Sequence, residues 1–135
     1  IAGMIHKFHR AKEKQSEVTL WGSGKPKREF LHVDDLARAI LFAAEYYDDD
    51  QHLNIGYGSD ISIEKLAELI AITTGYQGKL HWNQTFPDGT PRKLLDSTRI
   101  FKMGWKPEID LENGLTTTYN WFRSNLHVIG GINSL

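Results

Sequence analysis

The 135-residue chain contains no cysteine, and this absence removes several kinds of chemistry at once. Disulfide bonds, a thiolate nucleophile and a cysteine-ligated zinc site are all excluded. The chain also lacks an apolar run near the roughly 20 residues that cross a bilayer, and it shows no signal-peptide pattern. We therefore expect a protein of a reducing compartment, with the cytoplasm as the default location and no membrane partner.

Charge of one sign is not in excess either. Sixteen Lys and Arg residues stand against seventeen Asp and Glu residues, which gives a formal net charge of -1. A long polyanion such as DNA needs a broad positive field, so nucleic acid is not an expected partner. Any anion-binding site must instead be a local cluster of cations.

The length and a hydrophobic content of 40% predict one compact domain in which helices and strands alternate. Apolar residues at helical spacing predict helices over about 1–15, 34–46, 62–75, 97–103 and from 110 onward. Extended segments are predicted at 18–21, 29–32, 53–57 and 79–83. The fold class is therefore α/β, without the strand–GxGxxG–helix unit of a dinucleotide-binding fold.

Three helix starts carry a residue suited to N-capping, namely Asp34, Ser62 and Asp110. Gly75 is placed to stop the helix that Ser62 begins. The helix after Asp34 carries an apolar stripe formed by Leu36, Ile40, Leu41 and Ala44.

The first residues enter helical periodicity at once, without an initiator Met or an N-cap. We therefore expect the chain to be cut from something longer. Residues 1–126 are predicted to form one lobe. The tail, residues 127–135, has a Gly-Gly pair and weak periodicity, and we expect it to be loose.

The segment WGSGKPKREFLHVDD joins an aromatic residue, a glycine turn and a row of cations directly to a helix start. Trp21 offers a flat stacking surface, and three cations that can meet phosphate follow it at Lys25, Lys27 and Arg28. Arg28 is followed by extended apolar sequence and is expected to be held rigidly. A plain turn, with both glycines at positive φ and Trp21 in the core, explains the same composition.

A second candidate lies in the irregular segment 84–93, which holds two prolines and a glycine. It can be an ordinary Pro-bracketed surface turn with Asp88 and Gly89 at the bend. If it folds over the face that carries Trp21 and Arg28, a second set of cations, Arg92 and Lys93, reaches the same spot. Two converging groups of positive charge are what a diphosphate requires.

Other polar residues have simpler explanations. Lys7 and Lys79 read as solvated charges when taken alone. His6 and His9 are spaced as metal ligands can be, but no third ligand of suitable type is near, so no metal site is predicted. No Ser-His-Asp, paired-carboxylate or Walker pattern is present.

Three segments taken together resemble, in order and spacing, the C-terminal half of the GDP-fucose synthases, which are extended short-chain dehydrogenases. The segments are WGSGKPKREFLHVDDLA, LNIGYGSDISIEKLAELIAITTGYQGKL and PDGTPRKLLDSTRIFKMGWKP, and a Phe-His pair at 8–9 supports them. The match runs from residue 1 to about 126. The resemblance implies the substrate-binding lobe of such an enzyme: a small sheet with several helices, and no N-terminal Rossmann domain.

The resemblance also implies site residues. Lys7, Trp21, Arg28 and Lys79 fall where the family contacts its GDP-sugar, and Lys93 is a further candidate. Lys7 replaces the Arg common at its position, which keeps the charge but loses the planar fork.

The family's chemistry is the conversion of GDP-4-keto-6-deoxymannose to GDP-fucose, by epimerisation at C3 and C5 and reduction at C4. The resemblance implies that NADP is bound mainly by an upstream domain. It also implies that the catalytic residues lie in that domain, so this chain should not catalyse the reaction by itself. It also implies a homodimer for the full enzyme. Two alternatives stay open: the substrate lobe of another nucleotide-sugar epimerase or dehydratase, and a non-enzymatic α/β interaction module.

Overall fold

The computed structural model describes residues 1–126, and within them it contains five helices and two small sheets. The helices are α1 (Ala2–Lys14), α2 (Val33–Tyr46), α3 (Ile63–Thr74), α4 (Thr98–Lys102) and α5 (Leu111–Ser124). The strands are β1 (Val18–Trp21), β2 (Lys27–Glu29), β3 (Asp60–Ser62), β4 (Leu80–Asn83) and β5 (Arg92–Lys93). The α/β prediction, with a small sheet and several helices, is confirmed.

Two further predictions concern the C-terminal tail and the absence of a membrane-spanning segment. The tail predicted to be loose, residues 127–135, lies outside the described residues. Among the helices of residues 1–126, none has the length and apolar character needed to cross a membrane.

The main core lies where α1, α3 and α5 pack around β1 and β4. Each helix contributes side chains at helical spacing that are almost completely buried, which confirms the periodicity predicted for these three helices. Burial of a large apolar side chain stabilises the fold by about 1.5–3 kcal/mol. The principal members are Ile5, Phe8, Leu66, Ile70, Leu115 and Phe122.

Two of the three predicted caps are confirmed. Ser62 accepts a hydrogen bond from the amide of Lys65 at 3.1 Å, and Asp110 accepts one from the amide of Asn113 at 2.8 Å. Gly75 ends α3 in the left-handed region, with a φ of 69°. These side chains satisfy helix-end groups that lack a partner within the helix.

The predicted cap at Asp34 is wrong. The N-cap of α2 is His32, whose Nδ1 accepts a hydrogen bond from the amide of Asp34 at 3.3 Å. Asp34 therefore lies inside the first turn, where a negative charge favours the positive end of the helix dipole. An imidazole nitrogen can accept a hydrogen bond from a backbone amide as a carboxylate does. The predicted helix start was therefore two residues too late.

The apolar stripe of α2 faces away from the core. Leu41 is 71% exposed and Ile40 is 55% exposed, and within residues 1–126 nothing covers this side of the helix. The helix instead buries Asp35 and Ala39. Ala39 belongs to a second cluster with Ile100 and Trp105.

Asp35 explains this orientation, because its carboxylate is completely buried and accepts hydrogen bonds from the backbone of the segment before α5. The amide of Glu108 donates at 3.2 Å and that of Ile109 at 2.9 Å, and the guanidinium of Arg38 also donates. Burial raises the pKa of Asp35, but these donors, led by the Ile109 amide, outweigh it and hold the pKa below its usual value.

The strand predicted over 53–57 is not formed. Within the described residues it pairs with no other strand, and a strand needs such pairing for its backbone groups. Side chains hold the segment instead: the Glu29 carboxylate accepts a hydrogen bond from the amide of Gly58 at 2.6 Å. The extended segment predicted at 29–32 begins earlier, as β2.

The strand pairing brings two loops to one place. β1 pairs with β4 in parallel, so that Trp21 lies opposite Asn83, while β2 pairs with β5 in parallel, so that Arg28 lies opposite Lys93. The loop 22–26 connects β1 to β2, and the loop 84–91 connects β4 to β5. Both loops therefore cross between the two sheets at the same edge.

Candidate nucleotide-binding site

Trp21 is the last residue of β1, and its side chain points away from the core. Val18 and Leu20 are buried, while Trp21 is 68% exposed. Buried and exposed side chains alternate along β1, as in a strand that packs one face against the core. The interpretation of Trp21 as a core residue is therefore excluded, and a broad aromatic surface is presented at the edge where the two loops cross.

The glycine turn after Trp21 has the predicted backbone. Gly22 and Gly24 have φ values of 79° and 77°, a region that favours glycine. A Cβ atom at Gly22 would also collide with the carboxylate of Asp88. The turn is thus shaped to let the loop 84–91 approach closely.

Asp88 fastens the two loops together. Its carboxylate accepts hydrogen bonds from the Ser23 amide at 2.8 Å and from the Ser23 hydroxyl at 2.6 Å. The Ser23 hydroxyl, its amide and the charge of Lys25 lower the pKa of this carboxyl. Sequence reasoning placed Asp88 at a bend but missed this role, because nothing local to residue 88 indicates a partner 65 positions away.

Arg28 and Lys93 lie side by side. Paired residues on neighbouring strands are about 4.8 Å apart and point to the same face of a sheet. Arg28 donates from Nη1 to the carbonyl of Lys27 at 2.6 Å, and neither cation forms an ion pair with a carboxylate of residues 1–126. The structure thus brings together the two cations that the sequence placed in separate segments.

Arg92 does not join them. It is adjacent to Lys93 in β5 and therefore points to the other face of the sheet, where it binds the carboxylate of Asp60 at 2.5 Å. That hydrogen bond raises the pKa of Arg92 and lowers that of Asp60. Arg92 is already paired, which leaves Lys93 as the cation of β5 that is free to meet a ligand.

The loop 84–91 contacts both ends of the site. The ring of Phe86 stacks on Trp21, with centroids 4.6 Å apart and planes inclined by 17°. A Cβ atom at Gly89 would lie 3.5 Å from Nη2 of Arg28. One loop therefore lies beside both the aromatic residue and the guanidinium.

The two remaining candidates lie apart from this centre. Lys7 donates from Nζ to the carbonyl of Thr19 at 2.8 Å, two residues before Trp21 in β1. Lys79 precedes β4, at the opposite end of the ladder from the Trp21–Asn83 pair. Lys79 is four positions before Asn83 in the chain, a distance of about 13 Å along an extended strand. The structure does not bring Lys79 to Trp21.

His6 and His9 both take part in packing between α1 and α5. His9 is buried and its Nδ1 lies 3.0 Å from the hydroxyl of Tyr119, while His6 packs edge-on against Phe122. Among residues 1–126, no group of three possible ligands is close enough to hold a metal ion. Both side chains connect α1 to α5.

A dinucleotide cofactor does not fit the glycine turn. The GxG of residues 22–24 follows a strand, but it leads into β2 and not into a helix. It therefore lacks the helix N-terminus that holds the pyrophosphate in a dinucleotide fingerprint.

Comparison with known proteins gives relatives that share this fold and sequence. Residues 1–56 match the model of the NAD dependent epimerase/dehydratase family. The chain is 50% identical over 127 residues to the probable GDP-L-fucose synthase 1 of Oryza sativa subsp. japonica, a match that covers 93% of the chain. The GDP-L-fucose synthase of Escherichia coli (strain K12) is 44% identical over 135 residues.

The chain is a relative of the GDP-L-fucose synthases. A solved GDP-L-fucose synthetase of Naegleria fowleri, bound to NADP, superposes with a TM-score of 0.88 over 93% of the chain. At 23% identity this likeness concerns the fold. The small α/β fold of residues 1–126 is thus the fold of part of that solved chain.

The chain spans about two fifths of the relatives it matches: 39% of the rice protein, 42% of the E. coli protein and 40% of the N. fowleri chain. The activity of a whole relative therefore does not transfer directly to these residues.

Proposed function

We propose that this chain binds the nucleotide part of a GDP-sugar for an enzyme of the GDP-fucose synthase type. The observation that carries the proposal is that the loop 84–91 lies beside both the exposed ring of Trp21 and the cation Arg28. Lys93 is the strand neighbour of Arg28, and neither cation forms an ion pair within residues 1–126. An aromatic face suits a base, and two adjacent cations suit a diphosphate. The E. coli and rice relatives, named as GDP-L-fucose synthases, support the choice of GDP.

The residues of the proposed site bind different parts of the ligand. Trp21 stacks on the base, and Arg28 and Lys93 bind the phosphates, with Arg28 supplying the planar fork that fits two oxygens at once. Lys7, held beside β1, contacts a more distant part of the same ligand. Lys79 contributes only if the ligand reaches the far end of the β1–β4 ladder.

The wider activity is part of the proposal. A protein that contains this lobe would convert GDP-4-keto-6-deoxymannose to GDP-fucose, in the cytoplasm and as a homodimer. NADPH would supply hydride at C4 and would be oxidised to NADP. The cofactor would be bound mainly by residues outside this chain, and the catalytic groups would also lie outside it. The lobe itself would speed the reaction by fixing the orientation of the sugar.

Binding of GDP to the intact protein, followed by calorimetry, tests the proposal. Arg28→Ala should weaken binding by about 1.5–3 kcal/mol, the range for a hydrogen bond to a charged group. Lys14→Ala is a matched control, because it also removes one exposed cation but lies at the end of α1, near the start of β1 and away from Trp21. Equal affinities for the two variants would contradict the proposal.

A second candidate function is supported by one feature of the site. Stacking on Trp21 and charge pairing with phosphates do not distinguish one base from another. The lobe can therefore belong to an enzyme for a UDP- or dTDP-sugar. Competition between GDP, UDP and dTDP separates these cases. If the intact protein binds no nucleotide, an α/β interaction module becomes the better description.

A further inference from the structure

Phe86 occupies one face of the Trp21 ring and leaves the other open. The two rings are nearly parallel, with centroids 4.6 Å apart, yet Trp21 keeps 68% of its surface exposed while Phe86 keeps 41%. An indole has two faces, so a stacked partner on one side does not prevent a second flat group from packing on the other.

Phe86 is held in place from both sides along the chain. Upstream, the Asn83 side chain accepts hydrogen bonds from the Thr85 amide at 3.0 Å and from its hydroxyl at 2.7 Å. Downstream, Asp88 is fastened to Ser23 by two hydrogen bonds. A residue fixed between two such anchors is more consistent with a permanent support than with a plug that leaves the site.

From this geometry we propose that Phe86 is a positioning residue that holds the Trp21 ring flat, so that the base of the nucleotide stacks on the open face. The result is a stack of Phe86, Trp21 and base in that order. This inference rests on the proposed nucleotide site and adds to it a residue that recognises the ligand through another residue. Pre-ordering the indole removes the entropy cost of fixing it on binding.

The test compares two ligands, GDP and inorganic diphosphate, because only GDP has a base to stack. Phe86→Ala in the intact protein should weaken GDP binding about two- to tenfold, the scale of one aromatic stacking interaction, and should leave diphosphate binding unchanged. Phe86→Tyr should restore GDP affinity. Phe86→Leu, which fills space without a flat ring, should not.

The outcomes that overturn the inference differ from those that overturn the nucleotide site. Tighter GDP binding by Phe86→Ala would show that Phe86 competes with the base for Trp21. An equal loss for GDP and diphosphate would show a general disturbance of the loop. If wild-type protein binds GDP and Trp21→Ala weakens it while Phe86→Ala does not, the inference fails and the nucleotide site stands.

Discussion

Ser23 and Asp88 are 65 positions apart in the chain, and two hydrogen bonds of 2.8 and 2.6 Å join them. This pair connects the turn after β1 to the loop after β4. Phe86, which stacks on Trp21, and Gly89, which lies near Arg28, are both close to Asp88 in sequence. The Ser23–Asp88 pair therefore anchors the loop that contributes both residues.

Ser23→Ala should loosen the loop 84–91, because it removes the hydroxyl donor and leaves the backbone one. The expected result is amide hydrogen exchange in residues 84–90 that is faster by roughly tenfold or more, the equivalent of one hydrogen bond to a charged group. Ser59→Ala is the matched control, since Ser59 is exposed and its hydroxyl makes no hydrogen bond within residues 1–126. Equal exchange in both variants would mean that the hydroxyl does not hold the loop.

Low pH should weaken the contact between Asp88 and Ser23 that holds the loop 84–91. The pKa of Asp88 is lowered in the folded protein, first by the Ser23 hydroxyl, so the carboxylate stabilises the fold at pH values above its ordinary pKa of 3.8. This contribution is lost as the pH falls through the lower folded pKa. The Ser23 amide resonance, followed by NMR, should shift in that acid range. A shift centred above pH 3.8 would contradict this assignment.

Asp35→Ala should destabilise the protein by about 3 kcal/mol, because it leaves the guanidinium of Arg38 and the amides of Glu108 and Ile109 without their buried acceptor. Chemical denaturation measures the change. Asp34→Ala provides a control on the same helix turn, where the carboxylate is exposed. It should cost less than about 1 kcal/mol, and similar losses for both would argue against a special role of Asp35.

The exposed apolar side of α2 should cause the described part of the chain to associate. Contiguous exposed apolar surface promotes contact between molecules, and Val33, Leu36, Ile40 and Leu41 supply it here. Replacing Ile40 and Leu41 together by lysine should lower the apparent mass at high concentration in sedimentation experiments. Ile72→Lys, at an exposed position on α3, should have little effect. Unchanged association of the double variant would exclude this face.

Helix positions and most caps could be predicted because they depend on residues close in sequence. Ser62 and Gly75 determine both ends of α3 locally, and the structure confirms both. The orientation of α2 could not be predicted in this way. Its apolar stripe was visible, but the buried side is set by Asp35 and its contacts with residues more than 70 positions away.

The candidate site could be predicted in its residue types but not in its assembly. The exposure of Trp21 follows from alternation along β1, yet the same alternation can bury either set of side chains. The alignment of Arg28 with Lys93 depends on β5, a two-residue strand that exists only through its pairing with β2. The segment 53–57 shows the converse, since strand-forming residues without a partner form no strand.

The alignment of Arg28 with Lys93 has a practical consequence for experiments on this protein. Two positive charges held next to each other on a sheet repel, and any small dianion that enters between them relieves the repulsion. Phosphate or sulfate buffers would therefore raise the melting temperature and compete with GDP, whereas a chloride medium of low ionic strength would not. Affinities measured in the two media should not be compared directly.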